Sequence, residues 1–169
     1  MLRGPNVHLR PLEREDLPLL VEWRNDPAAW KFFCNPHPLS LGGQAAFYDR
    51  LQANPYRRLF IIATPQGEAI GTIGLDDIDP VNQSAEFGNL LIGEKAALGK
   101  GFAKEATELL IDYAFKRLNV QRLYLNVHAD NDRAIKLYEK CMFEHEGRKR
   151  RALFRDGVFI DVLMMSRLR

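Results

Sequence analysis

The sequence predicts one α/β domain in which a β-meander leads into β–helix–β–helix and then a closing hairpin. Three observations predict it. Strand-like apolar segments separated by turn residues fill 58–93, the apolar period changes to 3.6 from Gly101 to Leu118, and a buried-type strand, VQRLYLNV, follows at 120–127. With 169 residues, of which 46% are hydrophobic and 27% charged, residues 1–169 have the size and composition of a single domain with a true core.

Each element has a local reason. NVHLRPL (6–12) alternates apolar and polar residues and reads as an opening strand. Asp16 is placed to N-cap a short helix with Leu19, Leu20 and Trp23 on one face, and Pro27 marks a break soon after it. Ser40 is a cap for a second helix to about Leu51, weakened in its first turn by Gly42 and Gly43. RLFIIAT (58–64) and EAIGTIGLDDI (68–78) flank a PQG turn, and SAEFGNLLIG (84–93) is the third strand of the meander. From Phe102 to Leu118 an apolar stripe faces inward, while Lys104–Glu108 and Asp112–Lys116 pair at i,i+4 on the wet side. NDRAIKLYEKC (131–141) is a short helix, and the tail makes two strands around Arg155-Asp156-Gly157. That reading counts about seven strands.

Composition excludes several classes. There are 24 Lys and Arg against 22 Asp and Glu, a formal net charge of +2, too even for a dedicated nucleic-acid binder. No apolar run approaches the ~20 residues that span a bilayer, and the first residues carry no apolar export signal, so a cytoplasmic protein without membrane contact is expected. Cys34 and Cys141 are too few and too far apart for a disulfide framework or a CxxC site, and His8, His37, His128 and His145 lack metal-ligand spacing.

Chemistry concentrates in two stretches. In GEKAALGKGFAKEAT (93–107) a strand ends, glycines stand at 99 and 101, and a long amphipathic helix begins at once. Unpaired N–H groups and the positive end of a helix dipole then meet at one point, which suits an anion. A tight strand-to-helix turn that needs two glycines explains the same spacing, and both readings stand. A Walker A loop does not fit, because five residues lie between Gly93 and Gly99 where it needs four, and Gly101 replaces the hydroxyl; a Rossmann fingerprint fails at Lys104. In NVHADNDRAIKLYEKCMF (126–143), Asn131 is a natural N-cap, and Ala134, Leu137, Tyr138 and Cys141 share a face. By spacing alone Tyr138 reads as a core aromatic with its hydroxyl at the rim.

Gly99-Lys100-Gly101-Phe102-Ala103 before a helix resembles the pyrophosphate loop of the GNAT superfamily of acyl-CoA-dependent N-acetyltransferases. Asn131, Ala134-Ile135, Leu137-Tyr138-Glu139-Lys140 and Phe143 match the same family's N-x-x-A-I-x-L-Y-E-K-x-G-F segment, and the likeness runs over about residues 7–167. Within the superfamily the chain is similar to the branch holding spermidine, ribosomal-protein N-terminal and nucleotide-sugar amine acetyltransferases, which Trp23-Arg24-Asn25-Asp26 fits as a whole without choosing among its members. The resemblance implies a mixed, mostly antiparallel twisted sheet of about seven strands flanked by helices on both faces. It implies acetyl-CoA as cosubstrate without a metal, contacted by Leu91, Ile92, Gly99, Lys100, Gly101, Phe102, Ala103, Asn126, Asn131, Tyr138 and Lys140.

It also implies direct attack of an amine on the thioester, with Tyr138 as acid to the leaving thiolate and Glu86 as candidate base. Against that role, Glu86 is equally read as an ordinary strand acid or one that orients substrate. The expected acceptor is a small or peptidic primary amine, polyamine-like amines ahead of protein N-termini and nucleotide-sugar amines, with a non-catalytic acyl-CoA sensor as the alternative and a homodimer as a candidate assembly. Asp76, Asp77 and Asp79 are read either as a cluster attracting a polycation or as a solvated turn; Arg148, Lys149, Arg150 and Arg151 as a strand whose alternation divides them between two faces. Two positions depart from the family pattern: Leu98 stands where Gln or Arg is usual, and Met142 where Gly is usual.

Overall fold

The computed structural model describes residues 1–33 and 37–169, so Cys34 lies outside the described residues. Its strands are β1 (Leu2–Arg3), β2 (His8–Pro11), β3 (Arg58–Ala63), β4 (Ala69–Asp79), β5 (Ser84–Ile92), β6 (Arg122–His128), β7 (Glu144–Arg155) and β8 (Val158–Leu168). The helices are α1 (Leu17–Asn25), α2 (Pro27–Trp30), α3 (Leu41–Ala53), α4 (Phe102–Arg117) and α5 (Asp132–Lys140). The strands form one sheet ordered β1-β2-β3-β4-β5-β6-β8-β7. Every neighbour is antiparallel except β5 and β6. That parallel pair needs a crossover, and α4 supplies it.

Period-2 alternation in β3 divides the core. Phe60 and Ile62 point into a cluster covered by α4 and α5, with Leu9, Ile73, Phe87, Leu110 and Leu123. Leu59, Ile61 and Ala63 point the other way, against Leu17, Leu20 and Trp23 of α1 and Leu51 of α3. Helices therefore cover both faces, as the family likeness implied. Among the described residues no helix is long and apolar enough to cross a membrane.

The sheet has eight strands where the sequence suggested about seven. The extra one, β1, is two residues long and pairs Leu2 with Leu9 and Arg3 with His8, too short to carry a periodic signal. Glu105 of α4 fastens this segment, accepting hydrogen bonds from the Asn6 and Val7 amides at 2.8 and 3.0 Å. Pro27 begins a helix instead of marking a simple break; Asp26 caps it by accepting from Ala28 N at 2.8 Å.

Asp16 does not cap α1. Its carboxylate is turned back to the Glu13 amide (2.9 Å) and to a bidentate pair with Arg10 (2.7 Å twice). Burial pushes the Asp16 pKa up, but the bonds from Arg10 and Glu13 outweigh it and hold the carboxyl below its ordinary range. A depressed pKa stabilises the fold above the unfolded value, near ~3.9, and that contribution is lost as pH falls through the lower folded value. Asp16→Asn is therefore expected to cost about 2–3 kcal/mol at pH 7, at the low end for a broken buried pair because Arg10 is partly exposed. Urea melts at pH 7 and pH 3 check it: the gap to wild type should narrow in acid.

Met142 occupies the left-handed region with φ +63°. Its amide donates to Glu139 O and that of Phe143 to Tyr138 O, both at 3.0 Å, so α5 ends in a Schellman motif despite the missing glycine. Since Met142 is 70% exposed, Met142→Gly relieves Cβ strain at little loss of burial. A gain of roughly 0.5–1 kcal/mol, or about 1–4 °C in Tm, is expected in thermal melts.

Candidate active site

The site begins where two strands part. β5 and β6 pair only at Ser84–Arg122, Ala85–Leu123 and Glu86–Tyr124. Beyond that point β6 continues along β8 to His128. β5 is turned by a bulge, in which Asn89 has φ +56° and the β4 register slips between Thr72 and Gly74. The bulge is pinned: Thr72 Oγ1 donates to Asn89 O at 2.8 Å, and Asn89 Nδ2 donates to Asp76 at 2.9 Å. Beyond Glu86 and Tyr124 the two strands therefore no longer share a ladder.

The strand-to-helix connection follows from the same end of β5. Trp23 lies flat against Gly93, where an added Cβ would sit 2.1 Å from the ring, and its indole N–H donates to Glu94 at 3.1 Å. After a 3-10 turn over Lys95–Ala97, Gly99 (φ +77°) and Gly101 (φ +83°) take left-handed conformations. No atom lies within 4 Å of an ideal Cβ at either, so the backbone there is open to a ligand. α4 runs 16 residues and has no side-chain cap. Among the described residues, no protein acceptor receives the N–H groups of residues 99–103. These groups fit a diphosphate: several unpaired donors converge at a helix N-terminus with no Cβ in the way. Leu98, 41% exposed, offers no side-chain donor.

Tyr138 is buried on α5, edge-on to Phe87 (5.8 Å) and Phe143 (5.9 Å). Its hydroxyl has no hydrogen-bond partner among the described residues, and burial pushes its pKa well above the ordinary tyrosine value. It is a neutral, proton-bearing group at physiological pH. On the opposite sheet face, Glu86 Oε1 accepts from Asn126 Nδ2, and Asn126 Oδ1 accepts from Lys149 Nζ, each at 3.0 Å.

Other expected residues are placed less directly. Asn131 caps α5, accepting from Ala134 N at 3.2 Å. Lys140 is exposed at the end of that helix. The Leu91 side chain packs against the α1–α3 cluster and that of Ile92 against the α4–α5 cluster, both half-buried. Phe102 and Ala103 form the first turn of α4, and Lys100 is exposed in the loop.

Two charge patterns are corrected. Asp76 is ion-paired with Arg57, and Asp79 is spent on the Val81 and Asn82 amides and the Asn82 side chain, leaving only Asp77 turned out to solvent. No three-carboxylate cluster is presented. In the basic run, Arg151 has φ +52° in a register slip of β7, so simple alternation fails; Arg148 pairs with Asp161 at 2.6 Å. Among the described residues no group of three His, Cys, Asp or Glu could hold a metal.

The family model described as an acetyltransferase (GNAT) domain matches residues 6–144. The chain belongs to the GNAT acetyltransferase family. This acetyltransferase is 32% identical over 160 residues to the spermidine N(1)-acetyltransferase of Escherichia coli K12, covering 95% of the chain and 84% of that protein. It is 37% identical over 169 residues to the uncharacterized N-acetyltransferase p20 of Bacillus licheniformis, covering 95% and 92%. Among solved structures, the spermidine N-acetyltransferase of Vibrio cholerae in complex with CoA and spermine superposes with a TM-score of 0.92 at 30% identity, covering 98% and 96%; the same enzyme also has a structure described as dodecameric.

Sequence reasoning missed two residues of this acetyltransferase. His128, at the end of β6, is 5% exposed with both ring nitrogens unpartnered, and the Nε of Arg155 is buried without an acceptor. They are 27 positions apart in the sequence (155 − 128), and no local motif links them.

Proposed function

We propose that this acetyltransferase passes the acetyl group of acetyl-CoA to a primary amine by direct attack within a ternary complex, with residues 1–169 acting as one domain. The observation that carries the reading is the row of unpaired amides at 99–103 at the open start of α4; the neutral hydroxyl of Tyr138 on α5 supports it. Bound acetyl-CoA supplies an activated acyl thioester. The amides of Gly99 to Ala103 hold its diphosphate, and the open β5 backbone near Leu91 and Ile92 aligns the pantetheine arm and polarises the carbonyl. Tyr138 gives its proton to the departing sulfur. Glu86, oriented by Asn126, accepts a proton from the amine directly or through water. Asn131 acts by fixing the first turn of α5, and thereby Tyr138.

The proton step has a size. An aliphatic amine with pKa ~10.4 is neutral about once in 10³ molecules at pH 7, a cost near 4–5 kcal/mol, against about 1 kcal/mol for an α-amine. The acceptor class is supported by the spermidine-acetylating relatives, which favour a polyamine. A second reading, an amine that also carries an anion, is favoured by the lost carboxylate cluster and by the unpartnered donors of His128 and Arg155. Self-association belongs to the same proposal: Phe154, Val158 and Phe159 are exposed together at the β7–β8 hairpin, and a relative forms a dodecamer.

The test is acetyl-CoA consumption against polyamines, N-terminal peptides and amino sugars, at low and high salt. For a polyamine acceptor, kcat/KM for spermidine should exceed that for peptides and fall as salt rises, because exposed charge attraction is screened. Binding of acetyl-CoA with no turnover of any amine would mark a sensor instead.

A further inference from the structure

The sheet face that carries Glu86 continues along β6 through Tyr124 and Asn126 to His128, since alternate residues of a strand share a face. His128 lies opposite Val162, and Val162 opposite Lys149, so a basic side chain stands in the same row. The Phe32–Phe33 segment closes over this end: the Phe32 ring meets the imidazole edge-on at 6.0 Å, and the Phe33 carbonyl accepts from an Arg155 terminal nitrogen. Lys31 sits over the Phe32 ring at 4.6 Å and Arg24 over the Phe33 ring at 4.1 Å. Asp130, itself exposed, is the acid that acts on His128, while burial and Arg155 both favour the neutral imidazole.

Two donors are thus enclosed without acceptors: an N–H of the His128 ring and Arg155 Nε–H. Buried donors left unpaired are costly and are normally satisfied by protein, water or ligand. We propose that His128 and Arg155 form an anion subsite beyond Asn126 at the end of this row, taking a carboxylate or phosphate borne by the amine acceptor. This deepens the acetyl-transfer reading and rests on it. The guanidinium Nε–H and an imidazole N–H each donate to one oxygen of the anion, a charge-assisted arrangement. Asn126, which touches Glu86, and His128 are two positions apart on the strand, a rise of about 6–7 Å. The acceptor is therefore a short molecule with an amine at one end and an anion at the other.

Matched acceptors test it with the intact enzyme: 6-aminohexanoate against hexylamine, and 6-aminohexyl phosphate against 6-aminohexanol, with spermidine alongside. Wild type should favour at least one anionic member over its neutral partner by about 10–100-fold in kcat/KM, the worth of a charge-assisted bond. The carboxylate and phosphate arms show which anion is meant. In Arg155→Gln the ratio should fall close to one, and Arg155→Lys should restore part of it. The His128 ring resonances should shift as the favoured acceptor saturates the acetyl-CoA-free enzyme, a readout that stands even if a variant misfolds. Equal use of neutral and anionic partners, spermidine outranking both anionic amines, or a preference that survives Arg155→Gln would overturn the subsite. No turnover of any amine would overturn the acetyl-transfer reading, and the subsite with it.

Discussion

Tyr138→Phe is expected to lower kcat by about 10²-fold or more while KM for acetyl-CoA changes little. The hydroxyl has no protein partner, so its removal breaks no hydrogen bond of the fold, and the ring contacts with Phe87 and Phe143 remain. The loss then belongs to the transition state, where the sulfur first needs a proton. Because burial raises the Tyr138 pKa, the group stays protonated through neutral and mildly alkaline pH. The wild-type rate should therefore show no alkaline loss from this residue below about pH 10. Steady-state kinetics of both proteins, with matching thermal melts, decide the matter. Equal kcat would return Tyr138 to core packing alone.

The regular elements were legible because their signals are local. Ser40 caps α3 by accepting from Gly43 N at 3.1 Å, and the Asp156–Gly157 turn joins β7 to β8 with both residues at positive φ. What was hidden depends on partners far along the chain. Asp16 has the residue type of a cap, yet Arg10 on β2 competes for its carboxylate and wins with two bonds. The bulge at Asn89 has no local signature; its anchors are Thr72 and Asp76 on the neighbouring strand.

The candidate site shows the same division. The glycine loop and the α5 segment are contiguous in sequence and stand where the motifs suggested. The acidic run was left with two readings, because composition cannot show that Arg57, nearly twenty residues upstream, already holds Asp76. His128 at the end of β6 and Arg155 at the β7–β8 hairpin are linked through neighbouring residues, Phe32 against the one and Phe33 against the other. Acceptor-side chemistry assembled from separate elements leaves no periodic trace.

Gly101→Asp is expected to raise KM for acetyl-CoA by about 10²-fold or more. Gly101 has φ +83° and stands at the N-cap of α4, between the amides of Gly99 and Ala103. No atom lies within 4 Å of a Cβ there, so the fold accommodates the side chain at the left-handed strain of about 1–2 kcal/mol. Its carboxylate, however, is a good N-cap and competes for the same N–H groups that a diphosphate needs. It also sets a negative charge against the phosphates, where each charge-assisted bond is worth about 1.5–3 kcal/mol. Gly101→Ala separates the two effects, since it carries the backbone strain without the charge; its binding loss should be far smaller than that of the Asp variant. A chelator such as EDTA should leave acetyl-CoA binding unchanged if backbone amides alone hold the diphosphate. Calorimetric titration of acetyl-CoA into each protein measures all three. Unchanged affinity in Gly101→Asp would move the diphosphate away from this loop.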